Sequence, residues 1–243
     1  VIPLNRLLAA TDFSAPARHA VERAALVARA AGARLDLVHV AAAYSGVDEL
    51  RRLVANLPAD VAMRIREQTE MLMGALATTV RERDGVIATT HVVDGPVVSA
   101  IEQAATALGA DLLVLGARGS STLRHLVLGS TAARLISRCT RPLLVVKRTA
   151  VTEYRRVLVP VDFSHASLPA VRLAHAIAPG ARLILLHAYE APFEGKMWFA
   201  GVHREYIEEY RQAARAEAQD GMARLGAAAG LPPGIEVPVL VHG

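Results

Sequence analysis

The chain contains the same stretch twice. Asn5–Val40 reads NRLLAATDFSAPARHAVERAALVARAAGARLDLVHV, and Tyr154–Ala188 reads YRRVLVPVDFSHASLPAVRLAHAIAPGARLILLHA. Asp12 pairs with Asp162, Phe13 with Phe163 and Ser14 with Ser164. The run Gly-Ala-Arg-Leu recurs at Gly32 and Gly180, and His39 answers His187 once two residues are dropped. A repeat of this length means that one kind of module must serve both halves of the chain. The expected modules are residues 1–148 and 153–243, joined near Lys147–Glu153.

Within the first copy, short apolar runs alternate with helical periodicity. Arg6–Ala10 reads as a strand. Ser14 is placed to cap a helix that tolerates Pro16 in its first turn and is closed by Gly32. Arg34–Val40 is a second strand, followed by a variable connection over 44–57 that Pro58 breaks. Ile65, Leu72, Leu76 and Thr79 or Val80 fall on one face of a long helix. Val86–Val93, Leu112–Leu115 and Leu143–Val146 read as further strands, with helices over Val97–Leu108 and Thr131–Arg138 between them.

This alternation predicts an α/β fold: an open twisted parallel sheet with helices on both faces. Ligands then bind beyond the carboxyl ends of the strands. The second copy offers a strand, a helix, a strand, a long helix around Val202–Leu225 and a strand at Ile235–Val241. Nothing in it answers Pro96–Lys147. Its sheet is expected to present an unpaired edge, to be completed by a longer chain or covered by a partner.

Composition narrows the function classes. Hydrophobic residues make up 53% and charged residues 21%, which supports a buried core and argues against disorder. Aromatics are only 4%, and an Ala-, Val- and Leu-rich core suits buried parallel strands. No apolar run approaches the roughly 18 residues of a membrane span. The opening VIPLNRLLAA lacks the basic leader and cleavage site of a secretory signal. Cys139 is the sole cysteine, so a reducing, cytoplasmic setting is expected. Lys and Arg outnumber Asp and Glu by 27 to 23, but they are scattered along helices rather than gathered into a nucleic-acid patch.

The stretch LGARGSSTLRHLVLGSTAARL, after the Leu112–Leu115 strand, carries the strongest chemical signal. Gly116 and Gly119 are separated by two residues, and nine more precede Gly129-Ser130-Thr131. Glycines admit a phosphate close to the backbone. Gly129-Ser130-Thr131 opens a helix, where free amides and the dipole favour an anion. The bland alternative is a tight turn at Gly116 and Gly119, with Ser130 as a simple helix cap. No Lys precedes Ser130, so this is not a GxxxxGK[ST] loop, and it is not a GxGxxG fingerprint either.

The spacing Gly-x2-Gly-x9-Gly-Ser resembles the ATP-binding signature of the universal stress protein family. TDFS after an apolar strand, the LVHV strand and ADLLVLGARG resemble the same family. The resemblance implies a five-stranded parallel sheet of order 3-2-1-4-5 in each complete module. It also implies that Gly116, Gly119, Gly129, Ser130 and Thr131 surround the ribose and phosphates of ATP. Asp12 would stand beside the ribose or a bound Mg²⁺, its alternative being a partner of the following helix dipole. Val40 would meet adenine through its backbone, Ala10 and Leu115 would line the pocket, and Arg118 would reach a phosphate or stay exposed on its loop. The second module keeps Asp162 but has no glycine motif, so one nucleotide site is expected, in the first module. The family also implies a homodimer through the last strand, Leu143–Val146.

Other constellations are weaker. His39 and His187 sit at equivalent strand positions and read as structural, His19, His125, His165 and His175 have no close zinc-ligand spacing with cysteine or acidic partners, and whether His203 meets His242 is left open by the sequence. Ser14 and Ser164 lie outside any GxSxG elbow. Cys139 lies between Arg138 and Arg141 and reads as an inert thiol or an activated one. Trp198, Phe199, Tyr206 and Tyr210 fall in the second variable connection, as packing or as a lid or partner surface. Nothing resembles a catalytic base, a Walker acid or an arginine finger. The sequence therefore points to an ATP-binding stress-response sensor or regulator with an unnamed regulatory partner. The alternatives are an interaction module with a vestigial pocket and a nucleotide-using enzyme.

Overall fold

The computed structural model describes residues 4–41, 60–117, 128–232 and 234–242. The chain divides into two compact units, Leu4–Glu153 and Tyr154–Gly243. In the first, β1 (Arg6–Ala10), α1 (Ala15–Ala31), β2 (Arg34–Val40), α2 (Val61–Asp84) and β3 (Ala88–Val93) lead into α3 (Val97–Leu108), β4 (Leu112–Gly116), α4 (Ser130–Arg138) and β5 (Leu143–Val146). The strands form a parallel sheet of order β3-β2-β1-β4-β5. Strand order reverses beside β1, so the ends of β1 and β4 form the switch point where such sheets leave a crevice.

Leu7, Leu8, Leu35, Leu37, Leu112 and Leu113 are buried on the three central strands. Strands covered on both faces read as continuous apolar runs, which is why β1 after Arg6 and β4 show no polar alternation. Ser14 Oγ accepts from Ala17 N at 3.3 Å to start α1, and Gly32 ends it in the left-handed region. The carboxylate of Asp111 accepts the backbone amides of Asn5 at 2.8 Å and Arg6 at 2.9 Å, fixing the entry into β1.

Two features were hidden in the sequence. The first is Asp36, in the middle of β2 and only 1% exposed. Arg6 Nε donates to it at 2.7 Å, and His91 Nε2 donates at 2.7 Å from β3. Burial alone would raise this carboxyl, but the hydrogen bonds and charges of Arg6 and His91 outweigh it and hold the group below its ordinary value. The second is the buried stripe of α2. It is Thr69, Met73, Val80 and Asp84, whereas Leu72, expected on the inner face, is 43% exposed.

The second unit contains β6 (Arg156–Pro160), α5 (Ser167–Ile177), β7 (Arg182–Tyr189), a short α6 (Glu194–Phe199), α7 (Arg204–Ala229) and β8 (Glu236–His242). Its parallel sheet runs β6-β7-β8. Among the described residues β6 has a neighbour on one side only. Leu158 is 56% exposed, while Leu8, its counterpart on β1, is 0% exposed beneath β4 and α3.

Gly116 explains how α1 meets β4. A Cβ built there would stand 2.7 Å from the backbone oxygen of Pro16 and 2.8 Å from its carbonyl carbon. Backbone cannot yield as a side chain does, so glycine is required for packing. Gly116→Ala is expected to destabilise the chain by about 1–3 kcal/mol, read from urea unfolding; an unchanged midpoint would refute the close approach.

For Asp36 the pH dependence has a definite sign. A depressed carboxyl contributes its stability in full above the unfolded value, about 3.9, and loses it as pH falls through the folded value. Asp36→Asn is expected to cost about 3 kcal/mol at pH 7. The gap to wild type should close as pH falls below about 4. A pH-independent gap would show that geometry rather than charge matters there.

Candidate functional site

At the carboxyl ends of β1, β2 and β4 lies a cavity of about 120 Å³. Ala10, Asp12, Val40, Leu115, Gly116, Gly129 and Thr131 all line it. The fold thus brings together residues spread over more than a hundred positions. Ser130 is the first residue of α4, exposed, and is not among the lining residues. Arg118 and Gly119 lie outside the described residues. The helix starts one residue earlier than its sequence pattern suggests, with Gly129 rather than Ser130 in the cap position.

The walls differ in character. Val40, Leu115 and the α3 residues Val97 and Ile101 give an apolar side. Sequence reasoning missed Val97 and Ile101, although their four-residue spacing at the start of α3 was the available signal. The other side is the amino end of α4. The cap residue Gly129 has no side chain to bond the helix, and no acidic residue occupies the first turn. Its leading amides therefore keep their donor capacity and the positive end of the helix dipole. By contrast, α1 begins with its cap already filled by Ser14.

Asp12 reaches the cavity from the turn between β1 and α1. Its Oδ1 accepts from Ser14 N at 3.0 Å, and Thr11 Oγ1 accepts from Phe13 N at 3.1 Å. Phe13 takes φ 63, a left-handed value that bulky residues rarely adopt. The ring of His39 lies 4.6 Å from that of Phe13, and its Nδ1 is 2.8 Å from Thr11 O. A carbonyl can only accept, so Nδ1 carries the proton. His39 is accordingly a brace for the turn.

The second unit repeats the brace and changes the carboxylate. Phe163 has φ 61, its ring is 4.1 Å from His187, and His187 Nδ1 donates to Val161 O at 2.8 Å. Asp162 Oδ1 accepts Ser164 N and Ser167 Oγ, each at 2.9 Å. Hydrogen bonds from Ser164, then Ser167, hold the Asp162 carboxyl down to about 2. Position 17 of the first module is Ala17, which has no hydroxyl to offer its Asp12.

Among the described residues, no group of three His, Cys, Asp or Glu side chains is placed to hold a metal ion, and no helix is long and apolar enough to cross a membrane. Cys139 is half-buried at the end of α4.

Among curated proteins none matches the chain significantly. Solved structures share the fold. A universal stress protein from Archaeoglobus fulgidus DSM 4304 aligns over 99% of this chain and 79% of its own, at 18% identity and a TM-score of 0.65. A putative universal stress protein from Pseudomonas aeruginosa UCBPP-PA14 aligns over 98% of this chain and 74% of its own, at 16% identity and a TM-score of 0.55. The hypothetical protein MJ0577 covers 61% of this chain and 99% of its own, at 24% identity and a TM-score of 0.50. The model of the universal stress protein family matches residues 3–147 and again 153–243. With nearly its whole length matched in two consecutive segments, the chain belongs to the universal stress protein family.

Proposed function

We propose that the first module binds an adenine nucleotide, ATP with Mg²⁺, and that the protein works as a stress-response sensor or regulator. The observation that carries this is the uncapped amino end of α4 facing an apolar crevice at the switch point. The residues present suit the ligand. An apolar slot formed by Val40, Val97, Ile101 and Leu115 favours a purine, while free amides favour phosphate. In this reading the backbone of Val40 meets the base, Ala10 and Leu115 enclose it, and Asp12 takes ribose or Mg²⁺. Gly116, Gly119, Gly129, Ser130 and Thr131 surround the phosphates, with Arg118 as an added cation. Gly116 also has the packing duty described above. The second module, with Asp162 drawn onto its own helix, holds no nucleotide in this reading.

A sensor needs binding to favour one state over another, since equal affinity for two states shifts nothing. A homodimer through β5 supplies a second state, and the reading places the protein in the cytoplasm.

Calorimetric titration with ATP and Mg²⁺ tests the site. Saturable binding near one equivalent per chain is expected, weakened at least tenfold by Gly129→Val. Absence of binding by folded wild type would leave an interaction module with a vestigial pocket. The dimer has its own test. Leu113 N donates to Pro142 O at 3.0 Å, so by alternation the amide of Val145 points away from β4. Val145→Pro removes that outward donor alone. Light scattering should report a dimer for wild type and a monomer for the variant; a wild-type monomer at every concentration would overturn the dimer.

A further inference from the structure

The first module has a second cavity, on the opposite face of the sheet. It lies between α1 and α2 behind the β1–α1 turn and measures about 250 Å³. Phe13, Val21, Leu72, Leu76 and Val80 make most of it apolar. Leu72 is the residue that the helical pattern places inside and the structure leaves 43% exposed. The cleft shares only Thr11 with the cavity at the switch point.

One lining residue is chemically incomplete. Glu22 receives Arg83 Nη1 at 2.8 Å on Oε1. Its Oε2 is buried and has no hydrogen-bond partner among the described residues. A buried carboxylate oxygen without a donor is costly, and a donor brought by a ligand would recover that cost. An apolar cavity of about 150 Å³ already holds benzene, so this one has room for two fused rings. The opening is not an accident of one pair of helices. In the second unit α5 and α7 leave a cleft of about 790 Å³ beside Phe163 and His187. There the position of Glu22 is taken by Arg172, whose Nη2 donates to Ala228 O at 2.7 Å.

We propose that the α1–α2 cleft is a second binding site, for a small, largely apolar molecule bearing a single N–H or O–H donor. The rings lie against Phe13, Val21, Leu72 and Leu76, and the Glu22 side chain, which lines the cleft, rotates to bring Oε2 onto the ligand's donor. This site is proposed independently of nucleotide binding, since the two cavities share only Thr11.

Indole and N-methylindole are suitable probes, since they differ in one donor. Amide chemical shifts of the full chain, followed by NMR during titration, should move saturably at Thr11, Phe13 and the cleft-lining residues of α1 and α2. Indole should bind about tenfold more tightly than N-methylindole, the ratio expected from one hydrogen bond to a charged acceptor. Glu22→Leu should abolish that preference. Ala75→Phe, at an exposed position on the cleft wall, should block both probes while keeping a dispersed, folded spectrum. No saturable shift in wild type, or equal affinity for the two probes, would overturn the assignment, whatever the outcome with ATP.

Discussion

The turn that follows the first strand of each unit governs what lies on both faces of the sheet. Phe13 and Phe163 are held at φ 63 and φ 61, a conformation that costs a bulky side chain about 1–3 kcal/mol. Such a value persists only when its surroundings overdetermine it. Here a histidine from the neighbouring strand donates to the carbonyl two residues before the phenylalanine and stacks on its ring. Because the chain reverses there, Asp12 reaches the end of the sheet, Ser14 begins α1 in register, and Phe13 is set between α1 and α2. The cavity at the switch point and the cleft behind it are two consequences of one constrained turn.

Much of this fold is legible in the sequence for a physical reason. Buried parallel strands must be apolar throughout, and helix ends must satisfy their backbone groups locally. Hence Arg6–Ala10, Arg34–Val40 and Leu143–Val146 match the observed strands, and Ser14 and Gly32 match the ends of α1. Most of the candidate site was legible too, because β1, β2 and β4 must end together in a parallel sheet. What escaped depends on contacts far apart in the chain. Gly116 meets Pro16 across a hundred residues, and no local pattern announces that. Asp36 went unremarked inside an apolar strand, because its partners Arg6 and His91 become neighbours only through strand order. The inner face of α2 was misread because two apolar stripes lie close together, and packing against the sheet selects Met73 over Leu72.

Comparison of the two units shows how far burial is set by neighbours rather than by residue type. Leu8 and Leu158 occupy the same place on equivalent strands. One is enclosed by β4, α3 and α4 and the other is more than half exposed. The core of the second unit shifts accordingly toward β7 and α7, around Leu183, Leu185, Met222 and Leu225. Its long helix admits Gly221 opposite the Phe163 ring, where a Cβ would come within 2.8 Å. Gly221 thus leaves room for that ring, a side chain that can shift, whereas Gly116 on β4 faces backbone that cannot.

Of the helices whose amino ends face the carboxyl end of the first sheet, α1 and α4 differ in a way that bears on where negative charge is welcome. The first turn of α1 is already served: Ser14 Oγ takes the amide of Ala17, and the Asp12 carboxylate takes that of Ser14. An anion arriving there meets a carboxylate and few unused donors. The first turn of α4 has glycine in the cap position, no side-chain cap and no acidic residue. The helix dipoles are alike in sign, so composition at the cap breaks the symmetry. A ligand carrying both a cation-binding or hydroxyl-rich part and a phosphate part can satisfy the two ends at once, with Asp12 on one side and the α4 amides on the other. The apolar strip between them, from Val40 to Leu115, then selects a flat and weakly polar body for the middle of that ligand.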